Sequence, residues 1–199
     1  MIKKLDQLTP EDLDKLNAIN PKLVKTTTEP FYNESMRNTE VNHIKQIGQF
    51  IKTSLGLTEP MQGKQTNYNQ DTKGSCDLIF KSGMRLINVS VRLRDFKYRK
   101  YNDITIRSRT QSGRNKTEFE KIRDGECISE YYIYGWLSED QTHIIKWVMV
   151  NVEVLRMNLF IGTKTTNGDQ SVFYKFDIRD LIFAGAVEGK GLFNNIKIK

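Results

Sequence analysis

Cysteine and histidine are scarce in this chain, two of each among 199 residues. Cys76 and Cys127 cannot build a disulfide scaffold or a cysteine-rich zinc site. His43 and His143 are far apart in the sequence, so no His-rich metal centre is expected. Proline occupies only four positions while hydrophobic residues make up 38%, which is not the composition of a disordered chain. No apolar run approaches the ~20 residues of a membrane span. The opening Met1-Ile-Lys-Lys-Leu-Asp has no signal-peptide apolar segment, so a cytoplasmic protein without a membrane partner is expected. There is no GxGxxG and no glycine-rich loop ending in Gly-Lys-Ser/Thr, which argues against a doubly wound nucleotide-binding fold.

Positive charge, by contrast, is in surplus. Lys+Arg total 31 against 24 Asp+Glu, a net +7. That excess points to a polyanionic partner. Residues 92–116 hold Arg92, Arg94, Lys97, Arg99, Lys100, Arg107, Arg109, Arg114 and Lys116, opposed only by Asp95 and Asp103. Phe96, Tyr98 and Tyr101 are interleaved with them. Such a stretch suits phosphate contacts, with rings able to stack on bases or wedge into a groove. It also suits a solvated edge strand whose charges block aggregation.

The chain length fits one domain of ~100–200 residues with a short appendage. Residues 1–38 read as a small helix over 1–20, opened by Thr9-Pro10-Glu11-Asp12, and an extended connector. A helix capped by Thr39 runs through Ile44, Ile47, Phe50, Ile51 and Leu55 to Gly56. The period then changes to that of strands. A short strand is expected at 66–70 and a better one at 76–80, followed by the turn signal Lys81-Ser82-Gly83. In 85–94, Leu86, Asn88, Ser90, Arg92 and Arg94 share one face, and Ile87, Val89, Val91 and Leu93 share the other. Further strands are expected at 103–109, 129–137, 143–153 and 172–176. A short helix capped by Thr117 closes at Gly125, and a helix or turn covers 178–183. The rings of Tyr131, Tyr132, Tyr134, Trp136 and Trp147 lie on apolar strands and belong to a core or a subunit interface. The order predicts an α/β fold, a central mixed β-sheet flanked by helices. Residues 39–153 form its core, with residues 1–38 as an N-terminal addition and 154–199 as a C-terminal extension packed on that core.

The residues with chemical potential are Glu40, Asp77, Ser90, Arg92, Glu118 and Glu120. Metal-assisted phosphodiester hydrolysis needs acidic oxygens to hold Mg²⁺ and a cation near the phosphate. Each residue also has an ordinary role. Asp77 suits a solvated strand end, Glu40 a favourable charge at a helix N-terminus, Ser90 and Arg92 the polar face of a strand, and Glu118 and Glu120 a helix surface.

The run Gly74-Ser75-Cys76-Asp77-Leu78-Ile79-Phe80, followed by Asn88-Val89-Ser90-Val91-Arg92 and preceded by Glu40 on a helix, resembles the PD-(D/E)XK nuclease superfamily. That is the fold of many type II restriction enzymes and phage nucleases. The resemblance covers about 39–153. It implies a restriction-endonuclease-like fold and a Mg²⁺- or Mn²⁺-dependent DNA endonuclease, acting on double-stranded DNA as a homodimer. Asp77, Ser90, Arg92 and Glu120 would be its catalytic residues, and Glu40, Asp77, Glu118 and Glu120 its metal ligands. Arg94, Lys97, Arg99, Lys100, Arg107, Arg109 and Arg114 would hold DNA. The chain departs from the family pattern in three ways: no proline precedes Asp77, Ser90 stands where Glu or Asp is usual, and Arg92 replaces Lys. Some restriction enzymes carry Ser at that strand position and take the carboxylate from the following helix, a part that Glu118 or Glu120 would play here. The alternative is a catalytically inactive DNA- or protein-binding protein on the same fold, in a phage accessory or counter-defence role.

Overall fold

A computed structural model describes residues 41–66, 74–109, 116–166 and 171–191. The expected elements at 1–38 and 67–70, most of the loop at 110–116 and the turn at Asn167-Gly168 lie outside these residues, as do Glu40 and Arg114.

The first helix, α1 (Ile44–Ser54), puts Ile47 and Ile51 on one buried stripe and ends where Gly56 takes φ +61°. Strand β1 (Met61–Gln65) precedes the expected site at 66–70 and pairs antiparallel with β2 (Leu78–Ser82). The sequence Met-Gln-Gly-Lys-Gln has little strand propensity; its place is set by packing. A Cβ on Gly63 would lie 2.5 Å from Phe80 Cε1 and 2.8 Å from Ile44 Cγ1. Gly63→Ala is therefore expected to destabilise by about 1–3 kcal/mol through overpacking. At ~2–4 °C per kcal/mol for a chain of this size, a thermal melt reads that as a loss of several degrees.

Strand β3 (Arg85–Arg94) returns from β2 through a tight turn in which Gly83 has φ +58°. Strand β4 (Asp103–Arg109) does not join its predecessors. It pairs with β8 (Val172–Asp177), which also pairs with β7 (Thr163–Thr166), forming a separate three-stranded antiparallel sheet. Helix α2 (Glu118–Arg123) then leads to β5 (Tyr131–Leu137), which lies parallel to β3. Strands β6 (Ile144–Asn151) and β9 (Val187–Gly191) complete a six-stranded mixed sheet in the order β1-β2-β3-β5-β6-β9. The fold is thus α/β, with a mixed multistranded sheet and several short helices. No helix of the described residues is long and apolar enough to cross a membrane.

The strand expected over 143–153 stops at Asn151 because that side chain caps α3 (Val152–Met157). Its Oδ1 accepts from Glu153 N and Val154 N, both at 3.1 Å. The last helix, α4 (Ile178–Phe183), is capped in the same way by Asp177.

Alternation along the strands gives the large sheet two apolar faces. On one, Ile47 and Ile51 of α1 cover Leu78, Phe80, Ile87, Val89, Val91, Ile133 and Met149. On the other, Tyr132, Tyr134, Trp136, Val148 and Val150 meet Ile104 and Ile106 of β4, Phe176 of β8, and Phe119, Leu155 and Leu181 from the helices. β5 is buried along its whole length, as a strand covered on both faces must be. The same alternation turns Ser90, Arg92 and Arg94 toward the second sheet, beside Tyr132, Tyr134 and Trp136 respectively.

Candidate functional site

Asp77 stands one residue before β2 and continues its pairing, donating its N–H to Val89 O at 3.0 Å. Its Oδ2 accepts from Val91 N at 2.6 Å, so the carboxylate lies against the middle of β3. The chain enters this position through Ser75, which has φ +50°, rare for a residue with a side chain. The Ser75 carbonyl accepts from Ser90 Oγ, from Ser129 Oγ at 2.9 Å and from Cys127 Sγ at 3.9 Å, and Ser90 Oγ also donates to Ser129 Oγ at 3.0 Å. Ser90 is 1% exposed. Its hydroxyl thus fixes the bend that delivers Asp77. Burial pushes the Cys127 thiol up to about 11, which leaves it protonated and unreactive at neutral pH.

Arg92 projects from the same face and donates Nη1 to Thr105 O at 3.3 Å. Burial is the largest influence on its guanidinium and opposes the charge, but neighbouring groups outweigh it and hold the pKa above the ordinary value. Tyr132 and Tyr134 are neutral at physiological pH, because burial raises both phenols. Among its charged neighbours, Glu118 and, more weakly, Asp77 favour the guanidinium charge. Glu118 opens α2 and is half-exposed. Its charge reaches Arg92, Tyr132 and Cys127. Tyr132 is fully buried, and its hydroxyl has no hydrogen-bond partner among the described residues. Asp77 thus bonds β3 at Val91, next to Arg92, and Glu118 adds its charge from the start of α2.

Glu120 is engaged at the N-terminus of α2. Its Oε2 accepts from Thr117 N and Thr117 Oγ1, each at 2.8 Å, and its N–H donates to Thr117 Oγ1 at 3.4 Å. That is a capping box, legible in the sequence as Thr117-x-x-Glu120. The Thr117 bonds hold the Glu120 carboxyl below its usual range. Among the described residues no three of His, Cys, Asp and Glu gather as a metal site. His43 is buried, with Nε2 3.1 Å from Gln141 O, a structural contact. An open pocket of about 250 Å³ shares Cys127 and Ser129 with the Ser75 network. Of its charged groups, Arg156 is already paired with Glu153.

The basic segment divides in two. Arg94 is fastened inside: Nη2 donates to Thr105 Oγ1 at 2.8 Å, Nη1 lies 3.5 Å from Asp103 Oδ1, and the guanidinium stands 5.1 Å from the Tyr134 ring centre. It ties β3 to β4. Lys97, Arg99, Lys100 and Arg107 are exposed. Lys97 lies over Tyr98 at 5.0 Å, Arg99 over Phe96 at 3.7 Å, Lys100 over Tyr101 at 5.2 Å and Arg107 over Phe173 at 5.5 Å. Arg109 ends β4, with its backbone opposite Val172. The 96–102 segment is held from beneath by Lys146 of β6, which donates to Arg99 O at 3.2 Å, Tyr101 O at 2.7 Å and Asn102 Oδ1 at 2.6 Å. Lys146 is the residue that the sequence reading missed, whereas Tyr132, read as a core or interface ring, is buried in the core. A lysine in phase with Val148 and Val150 on a buried strand face was the available signal for Lys146.

No family model matches the chain, and comparison with curated proteins gives no match.

Proposed function

We propose that this protein binds DNA and hydrolyses its phosphodiester bonds at Asp77, Arg92 and Glu118, as a Mg²⁺-dependent endonuclease of restriction or phage type. The observation that supports this is the Asp77 carboxylate bonded to Val91 N, next to Arg92 on β3, the two residues on which the PD-(D/E)XK resemblance centres. Asp77 and Glu118 offer hard oxygen donors, and Mg²⁺ takes one or two carboxylates alongside waters and substrate phosphates. Bound there, the ion would polarise the phosphate and acidify a water. Arg92 cannot shuttle a proton, since a guanidinium stays charged; its part is to stabilise negative charge developing on the phosphate. Lys97, Arg99, Lys100 and Arg107 supply the phosphate contacts, and cutting both strands favours a homodimer. A second reading, DNA binding without cleavage, is favoured by Ser90, whose hydroxyl is committed to the Ser75 carbonyl.

Plasmid nicking by the pure protein with Mg²⁺ or Mn²⁺ tests the proposal. Wild type is expected to nick, and Asp77→Asn to lose nicking while still binding DNA in a salt-dependent way. Binding without nicking in wild type would leave the second reading. No binding at all would remove both.

A further inference from the structure

We infer that the 96–101 segment is a stacking platform for unpaired bases, so that the protein engages single-stranded nucleic acid, or the frayed and flapped stretches of a duplex. This rests on the reading of the basic segment as a nucleic-acid surface and names the substrate class it prefers. Tyr98, which ends a short 3₁₀ turn (Phe96–Tyr98), and Tyr101 are 40% and 42% exposed. Their ring centres are 6.5 Å apart and their planes 34° from parallel. Each carries a lysine ammonium at 5.0–5.2 Å, and Phe96 carries Arg99 at 3.7 Å. Rings with cations beside them provide what a single strand offers contacts for, a π-face for each base and a charge for each phosphate. A paired duplex keeps its base faces covered by their neighbours, so the rings would find little to stack on along its length.

Two features make the platform preformed. The turn is closed by backbone bonds from Tyr98 N to Asp95 O and from Arg99 N to Phe96 O, both at 3.0 Å. The three acceptors taken by Lys146 then fix residues 99–102 to the large sheet. Little ordering entropy remains to oppose binding.

Fluorescence anisotropy with labelled dT and dA oligomers, a matching blunt duplex and a forked duplex tests the inference on the full chain. Wild type is expected to bind single-stranded and forked probes more tightly than the blunt duplex. Tyr98→Ala and Tyr101→Ala should each weaken the single-strand complex about tenfold or more, while Tyr→Phe and Tyr→Trp retain it, since stacking needs the ring and not the hydroxyl. Both side chains lie at the surface, and a thermal melt of each variant verifies its fold. Equal loss in the Ala and Phe variants, or tighter binding to the blunt duplex that is indifferent to both tyrosines, would overturn the stacking inference and leave the nuclease proposal in place. No affinity for any probe would overturn the nucleic-acid reading itself.

Discussion

Glu118→Gln is expected to lower Mg²⁺-dependent cleavage by about 10²–10³-fold, the loss associated with one well-placed electrostatic group. Glu120→Gln, two residues along the same helix, is expected to leave the rate intact. The reason lies in what each carboxylate faces. Glu118 acts on Arg92 and Tyr132, whereas Glu120 is bonded to Thr117 at the helix N-terminus. The Glu120 change should appear in stability instead, by about 0.3–1 kcal/mol, since Gln also serves in a capping box and only the negative charge near the helix N-terminus is lost. Because the folded-state pKa of Glu120 is depressed, its contribution is complete above the ordinary carboxylate value and fades as pH falls through the lower one. Wild type and Glu120→Gln should therefore differ in melting temperature at pH 7 and converge in acid. Asp77→Asn combined with Glu118→Gln should be little worse than either alone, as befits groups acting as a unit. Full cleavage by Glu118→Gln would remove the proposed site.

A large effect on stability is expected from Arg92→Ala. The side chain is half-buried, and a hydrogen bond from a charged group is worth ~1.5–3 kcal/mol. With ~2–4 °C per kcal/mol, the melting temperature should fall by about 3–12 °C. The Thr105 carbonyl also loses its donor. Arg92→Lys keeps the charge but not the planar fork, so it should recover part of the stability and, in an active enzyme, part of the rate. An unchanged melting temperature for Arg92→Ala would show that the guanidinium is solvated. The same geometry bears on restoring the usual family triplet with Ser90→Glu and Arg92→Lys. Ser90 is 1% exposed and occupied with the bend at Ser75, so the longer acid would disturb the turn that places Asp77.

Local patterns made much of this legible. The apolar–polar alternation over Arg85–Arg94 located β3 and put Ser90, Arg92 and Arg94 on one face, because a strand's side-chain period leaves no freedom in that choice. Ile178–Phe183 and the Thr117-capped helix were likewise written in their caps. What local pattern could not hold was partnership. Val152 and Val154 continue the apolar run of β6, and only the side-chain bonds of Asn151 turn that run into a helix. β9, with the sequence Val-Glu-Gly-Lys-Gly, is a strand because Trp147 and its neighbours in β6 need an edge partner. The departure of β4 to a second sheet, and the split of the basic residues into Arg94 inside and Lys97, Arg99 and Lys100 outside, depend on contacts with residues 172–177 and with Lys146. The sequence reading left Glu118 and Glu120 as alternatives, although the capping-box spacing Thr117-x-x-Glu120 was there to tie Glu120 to the helix N-terminus.

The parallel pairing of β3 with β5 sets an order of events. Val89 lies opposite Tyr131 only after the chain has passed through β4 and α2, whereas Leu78 meets the same Val89 across a tight turn. Closing the short hairpin sacrifices little chain entropy; closing the long crossover sacrifices more and is rewarded later. A nascent or partly unfolded chain can thus hold the β2–β3 hairpin and the charged segment that follows it while Tyr132 and Glu118 are still elsewhere. Such a chain would present its positive charge before the surroundings of Arg92 are complete.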